Sequence, residues 1–107
     1  MSNIKLFRDK KIRSTWNNEE EQWYFSVVDV VEALIDSPNP RQYWRKMKDR
    51  DLKEYETYPF GVQLNLTAHD GKMRITDCDN VKGLFRIIQS IPSLKAEPFK
   101  QWLAQVL

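Results

Sequence analysis

Arg41, Arg45 and Lys48 recur at i, i+4 and i+7 in the stretch NPRQYWRKMKDRDLKE, residues 39–54. On a helix that spacing makes one cationic ridge, and Lys46, Arg50 and Lys53 make a second on the other flank. Ridges of this kind suit a phosphate backbone, which is met by arginine and lysine. Asn39 as N-cap and Pro40 at the first helical position would start the helix beside Arg41. The helix would then offer its N-terminal amides and positive dipole end to an anion. Lys10, Lys11 and Arg13 are candidates for flanking phosphate contacts. On pattern alone a merely solvated helix face explains the same residues equally well, because Arg and Lys are good helix formers anywhere.

Other reactive side chains carry less. His69 stands in TAHDGK without a companion set of cysteines or carboxylates, the pattern of a surface histidine rather than a metal ligand. Cys78 has no histidine near it in sequence and reads as a buried, inert thiol. Asp77 and Asp79 could be paired acids, but capping of the helix that follows explains them better. Three glycines leave little room for a phosphate-cradling loop, and no zinc spacing occurs. The expectation is therefore a chain with no catalytic residues, no metal and no cofactor.

The elements that would position the basic stretch follow from periodicity. Residues 4–7, 11–16 and 22–27 read as strands of an antiparallel meander, joined by a charged turn at 8–10 and the polar turn NNEEE. Val27, Val28, Val31, Leu34 and Ile35 then recur at helical spacing, with Ser26 as N-cap and Asp29 three positions on. That helix is expected over 27–36, because SPNP holds two prolines that cannot continue it. The second helix, 40–53, turns Tyr43, Trp44 and Met47 inward, against Val30, Val31 and Leu34. Beyond it, VQLNL alternates Val62, Leu64 and Leu66 with polar residues, and KMRIT alternates Met73 and Ile75. Asp70-Gly71 between them signals a hairpin. Val81, Leu84, Phe85 and Ile88 form the face of a third helix that stops before Pro92, with Asp79 or Asp77 as its cap. A fourth carries Phe99, Trp102, Leu103 and Val106, with Pro98 tolerable in its first turn.

These elements sum to an α+β fold: antiparallel hairpins packed with about four helices, two of them consecutive in the manner of a helix-turn-helix. At 107 residues one domain is expected, 1–107. Folding a chain of that size hides roughly two-thirds of its unfolded surface, enough for a core without metal or disulfide staples. The single cysteine and the charged opening MSNIKLFRDKK, which lacks a signal peptide's apolar region, point to a reducing cytoplasm. No apolar run approaches the roughly 18 residues of a membrane span. A net charge of +2 is nearly balanced, so only the distribution of charge can argue for nucleic acid. The apolar end at Leu107 suggests a domain cut from a longer protein, with a short natural protein as the alternative.

The runs WYFSVVDVVEALIDSPNPRQYW, DGKMRITD and LFRIIQSIPSLKAEPFKQWLAQVL resemble the BRO family N-terminal domain, found in prophage antirepressors and baculovirus repeated open reading frame proteins. Within that group the chain is similar to the N-terminal region of bacterial DNA-damage-inducible protein D. The most specific pieces are Tyr24 to Val27, Asp29-Val30, Asn39-Pro40-Arg41, and Ile91-Pro92-Ser93 through Trp102. The chain departs at Asp36-Ser37-Pro38, where many members close the first helix with a glycine-aromatic pair. The resemblance implies an α+β domain that binds DNA in phage or stress-linked regulation, without catalysis. It carries a DNA-facing role onto Arg41, whereas Arg45 and Lys48 follow from helical geometry. Two functions remain open: a DNA-binding module working through 40–53, or a protein-interaction module that holds a repressor or a DNA-repair protein through Trp16, Trp23 or the last helix.

Overall fold

The computed structural model describes residues 2–36, 38–52 and 62–106. Strands β1 (Ser2–Phe7) and β2 (Lys10–Asn17) pair antiparallel, with Ile4 opposite Arg13 and Lys5 opposite Ile12. The tight turn between them puts Arg8 at φ +55°. β2 continues antiparallel into β3 (Gln22–Ser26), where Trp16 faces Trp23 with the rings edge-to-face at 5.5 Å. β4 (Val62–Thr67) and β5 (Met73–Asp79) form the second hairpin, and its turn needs Gly71 at φ +82°, a conformation that a Cβ disfavours. The hairpins are not separate: Phe25 pairs with Asp79 and Ser26 with Cys78, giving one antiparallel sheet in the order β1-β2-β3-β5-β4.

Helix α1 (Val27–Leu34) begins where Ser26 Oγ accepts the Asp29 amide, 3.4 Å. It ends two residues earlier than expected, at extended Ile35 (φ −127°), because the chain must leave the helical path ahead of Pro38 and Pro40. Helix α2 (Pro40–Met47) starts as its sequence requires, with Asn39 Oδ1 accepting the Gln42 amide at 3.1 Å and Pro40 in the first turn. The α-helical path does not run to 53. It widens at Lys48 into a π-helical turn, Lys48–Leu52. Helix α3 (Val81–Gln89) is capped by Asn80, whose Oδ1 accepts the Gly83 amide at 3.0 Å, rather than by Asp77 or Asp79. Both aspartates belong to β5, and the Asp79 carboxylate lies over Gly83, in space that a Cβ there would fill. Helix α4 (Ala96–Gln105) holds Pro98 in its first turn, where a missing N–H breaks no helical bond.

The core lies between the helices and one face of the sheet. Phe7, Ile12 and Phe25 from the strands meet Val30, Val31 and Leu34 of α1, Trp44 and Met47 of α2, Leu84 and Ile88 of α3, and Phe99 and Leu103 of α4. Phe7 stacks edge-on against Phe99 at 4.8 Å and against Trp102 at 5.7 Å. Ser93, ahead of α4, donates its hydroxyl to Leu34 O at 2.6 Å and so satisfies a carbonyl that the end of α1 leaves open. A smaller cluster of Tyr24, Leu66 and Cys78 sits on the other face, under the second hairpin.

That hairpin contains a mismatch the alternating sequence does not reveal. Leu66 pairs with Arg74 and Leu64 with Thr76, while Met73 and Ile75 pair with Thr67 and Asn65. Paired residues share a face. The apolar sets of β4 and β5 therefore point opposite ways: Leu66 is buried, and Met73 and Ile75 stand in solvent, 59% and 70% exposed.

Trp44 is 4% exposed and faces the core, as its helical position requires. Trp44→Ala should lower the unfolding free energy by about 3 to 5 kcal/mol, the usual range for emptying a large aromatic site. Urea denaturation measures it, and a midpoint equal to that of the parent would contradict the packing of α2 on α1.

Candidate nucleic-acid interface

With Trp44 and Met47 turned inward, the helical period leaves Arg41, Arg45 and Lys46 in solvent. None of the three forms an ion pair with a described residue. Lys48 differs. Its Nζ lies 2.8 Å from Asp77 Oδ2, which also accepts the indole N–H of Trp44 at 2.8 Å, and Gln63 donates to Asp77 Oδ1 at 3.1 Å. Burial alone would raise the Asp77 pKa, but the bonds from Lys48, Trp44 and Gln63 outweigh it and hold the carboxyl below its ordinary range. Of the ridge Arg41, Arg45 and Lys48, two cations are thus without an ion pair among the described residues and the third ties α2 to β5. Arg50 is exposed in the π-helical turn, and Lys53 lies outside the described residues.

A cleft of about 1000 Å³ opens beside the start of α2. Arg41 lines it together with Lys10, Lys11, Arg13 and His69, so the helix start and the predicted flanking residues converge there. Arg45, Lys46, Lys48 and Arg50 are not among its lining residues. Asp9, Asp29 and Glu32 line the same space, which makes the cleft mixed in charge rather than uniformly basic. Lys10 and Lys11 form no ion pair with a described residue, and Lys11 is exposed.

Arg13 occupies a different position in the structure. Its backbone N, Nε and Nη2 donate to the Asp29 carboxylate at 2.9, 2.8 and 3.0 Å. The guanidinium also donates to Thr67 O at 3.0 Å and Ser26 Oγ at 3.3 Å. The bonds to Asp29 outweigh burial and raise the arginine pKa further. Arg13 therefore knits β2 to the start of α1 and the end of β4, a role that its place in a basic cluster does not announce. The signal was Asp29: a carboxylate in the first turn of an apolar helix must find a partner when it is buried.

The other reactive side chains singled out by the sequence are Cys78 and His69. Cys78 is 1% exposed, and burial pushes its thiol up to about 12, so it holds its proton at neutral pH. His69 is exposed at the hairpin tip. Among the described residues no cluster of three or more His, Cys, Asp or Glu could hold a metal ion, and no helix is long and apolar enough to cross a membrane.

The chain matches the BRO family, N-terminal domain, over residues 11–107, and it belongs to that family. No curated protein and no solved structure matches it.

The engagement of Arg13 separates it from the free cations. Arg13→Ala should destabilise the fold by about 3 kcal/mol, because it leaves the Asp29 carboxylate buried without its cation. Arg41→Ala should leave the melting temperature near that of the parent. Thermal denaturation of both variants checks this, and equal midpoints would contradict a structural role for the Arg13 pair.

Proposed function

We propose that this domain is a DNA-binding regulatory module of the prophage antirepressor type, and that it contacts DNA through the outward side of α2. Arg41, Arg45 and Lys46 make the central contacts, and Lys10 and Lys11 reach flanking phosphates across the cleft. Arg50 extends the surface, Lys48 holds the helix through Asp77, and Lys53, outside the described residues, is assigned a DNA contact from the sequence alone. The reading includes a cytoplasmic location and assigns no catalysis. A role in the response to DNA damage belongs to it through the likeness to DNA-damage-inducible protein D.

One observation carries the reading: on a chain of net charge +2, three cations stand on the outward side of α2 with no carboxylate partner among the described residues, while the other side of that helix is buried. Charge that is nearly balanced in sum and segregated in space is what a phosphate backbone selects. A second reading has its own support. Ile4 and Leu6 are 57% and 59% exposed on edge strand β1, a surface on which a repressor or a DNA-repair protein could add a strand.

Salt separates the two. Neutralising about four phosphates gives a log-log slope near −3.6, or about 150-fold weaker binding between 50 and 200 mM salt. Replacing Arg41, Arg45 and Lys46 with Ala should reduce both affinity and slope without loss of structure, whereas removing Lys82, Lys95 and Lys100 around α3 and α4 should have a clearly smaller effect. Fluorescence anisotropy with labelled duplex and single-stranded DNA measures both. Equal losses from the two triple variants, or no binding by the parent at low salt, would refute the DNA reading and favour the protein contact.

A further inference from the structure

We infer that the outer face of the β4–β5 hairpin is a second contact surface for duplex DNA, a two-stranded ribbon that reads base edges in the major groove; the inference rests on the DNA reading above. Asn65 opposite Ile75 and Thr67 opposite Met73 share this face, and all four are exposed. The other face needs no further cover, since Leu66 and Cys78 are already buried there with Tyr24.

The chemistry of the four residues is that of base recognition. Asn side chains match the paired donor and acceptor of adenine, hydroxyls match several base edges, and apolar side chains meet the thymine methyl. Asn65 makes no side-chain hydrogen bond with a described residue, and Thr67 Oγ1 donates only to the weak acceptor Met73 Sδ at 3.3 Å. Both are therefore available to a ligand.

Charge and continuity select nucleic acid over a protein partner. Past Ile75 toward its base, the face reaches Gln63 and Asp77, the latter neutralised by Lys48 of α2. The surface thus runs into the cationic helix. Lys72 at the tip is exposed and forms no ion pair with a described residue, and the acid there, Asp70, is paired with Arg74. An uncharged strip of amide, hydroxyl and apolar groups, bounded at its tip by Lys72 and joined at its base to α2 by the Lys48–Asp77 pair, fits bases beside phosphates. A two-stranded ribbon also fits the width of the major groove, about 12 Å. Ile4 and Leu6 on β1 form another exposed apolar pair, on the opposite edge of the sheet.

The experiment compares the full chain with Met73→Ala/Ile75→Ala and with Ile4→Ala/Leu6→Ala, by anisotropy on a labelled duplex and on its single strand, from 50 to 200 mM salt. Light scattering follows mass, and circular dichroism checks folding. Loss of the hairpin pair should weaken duplex binding about tenfold. The salt slope should stay unchanged, since contacts to methyl groups release no counterions. The β1 variant should bind as the parent does. A parent that binds DNA and a hairpin variant that binds equally well would overturn the ribbon and leave the α2 reading intact. An equal loss on single strands, or a parent dimer that the hairpin substitutions make monomeric, would also overturn it, the latter identifying a self-association face. A parent that binds no DNA at low salt would overturn the α2 reading and this one together.

Discussion

The Asp29 carboxylate accepts three hydrogen bonds from one residue, Arg13, and the remaining donors of that guanidinium reach Thr67 O and Ser26 Oγ. A buried ion pair is unfavourable unless its lone pairs and protons are satisfied, and here they are. The pair fixes where α1 leaves the sheet, because Ser26 is both the last residue of β3 and the N-cap of α1. It also draws the end of β4 toward β2, two strands that are not neighbours in the sheet. Arg13 and Asp29 line the cleft beside α2 and the β4–β5 turn. Asp29 is therefore an architectural residue.

Once α1 is set, α2 has little freedom. Its apolar side packs on α1, its start is capped by Asn39, and its far end is held to the sheet by the bonds from Trp44 and Lys48 to Asp77. Ser93 closes the end of α1 from the other side, through Leu34 O. A helix fixed at both ends holds the Cα positions of Arg41, Arg45 and Lys46 in a constant spacing, so a phosphate backbone would have only their side chains to order. Lys48 contributes through Asp77, by holding the helix in place.

Most elements were legible because local physics decided them. Proline at 38 and 40, asparagine at 39 and serine at 26 mark helix ends whatever lies around them, and the stripes of Val, Leu and Trp select the buried sides. What stayed hidden was set by distant partners. Nothing local says that β3 pairs with β5 and merges two hairpins into one sheet. The period of two finds Met73 and Ile75 but not the register that turns them to solvent, since a strand's apolar set goes inward only if its partner's set does too. Asp77 and Asp79 precede a helix and look like caps, yet both still belong to the strand, and the cap is Asn80. Among the basic residues, sequence separates none, because the acids that engage Arg13 and Lys48 lie 16 and 29 positions away.

The central claim is that DNA meets the outward side of α2. Its most direct test is a heteronuclear NMR titration of the labelled domain with a short duplex at low salt, followed residue by residue. The account predicts that the largest amide shifts fall on Arg41, Arg45 and Lys46, with smaller ones at Lys10 and Lys11 and almost none along α3 and α4. Shifts that cluster instead on α4 or on the outer edge of β1, or spectra unchanged by DNA, would contradict it.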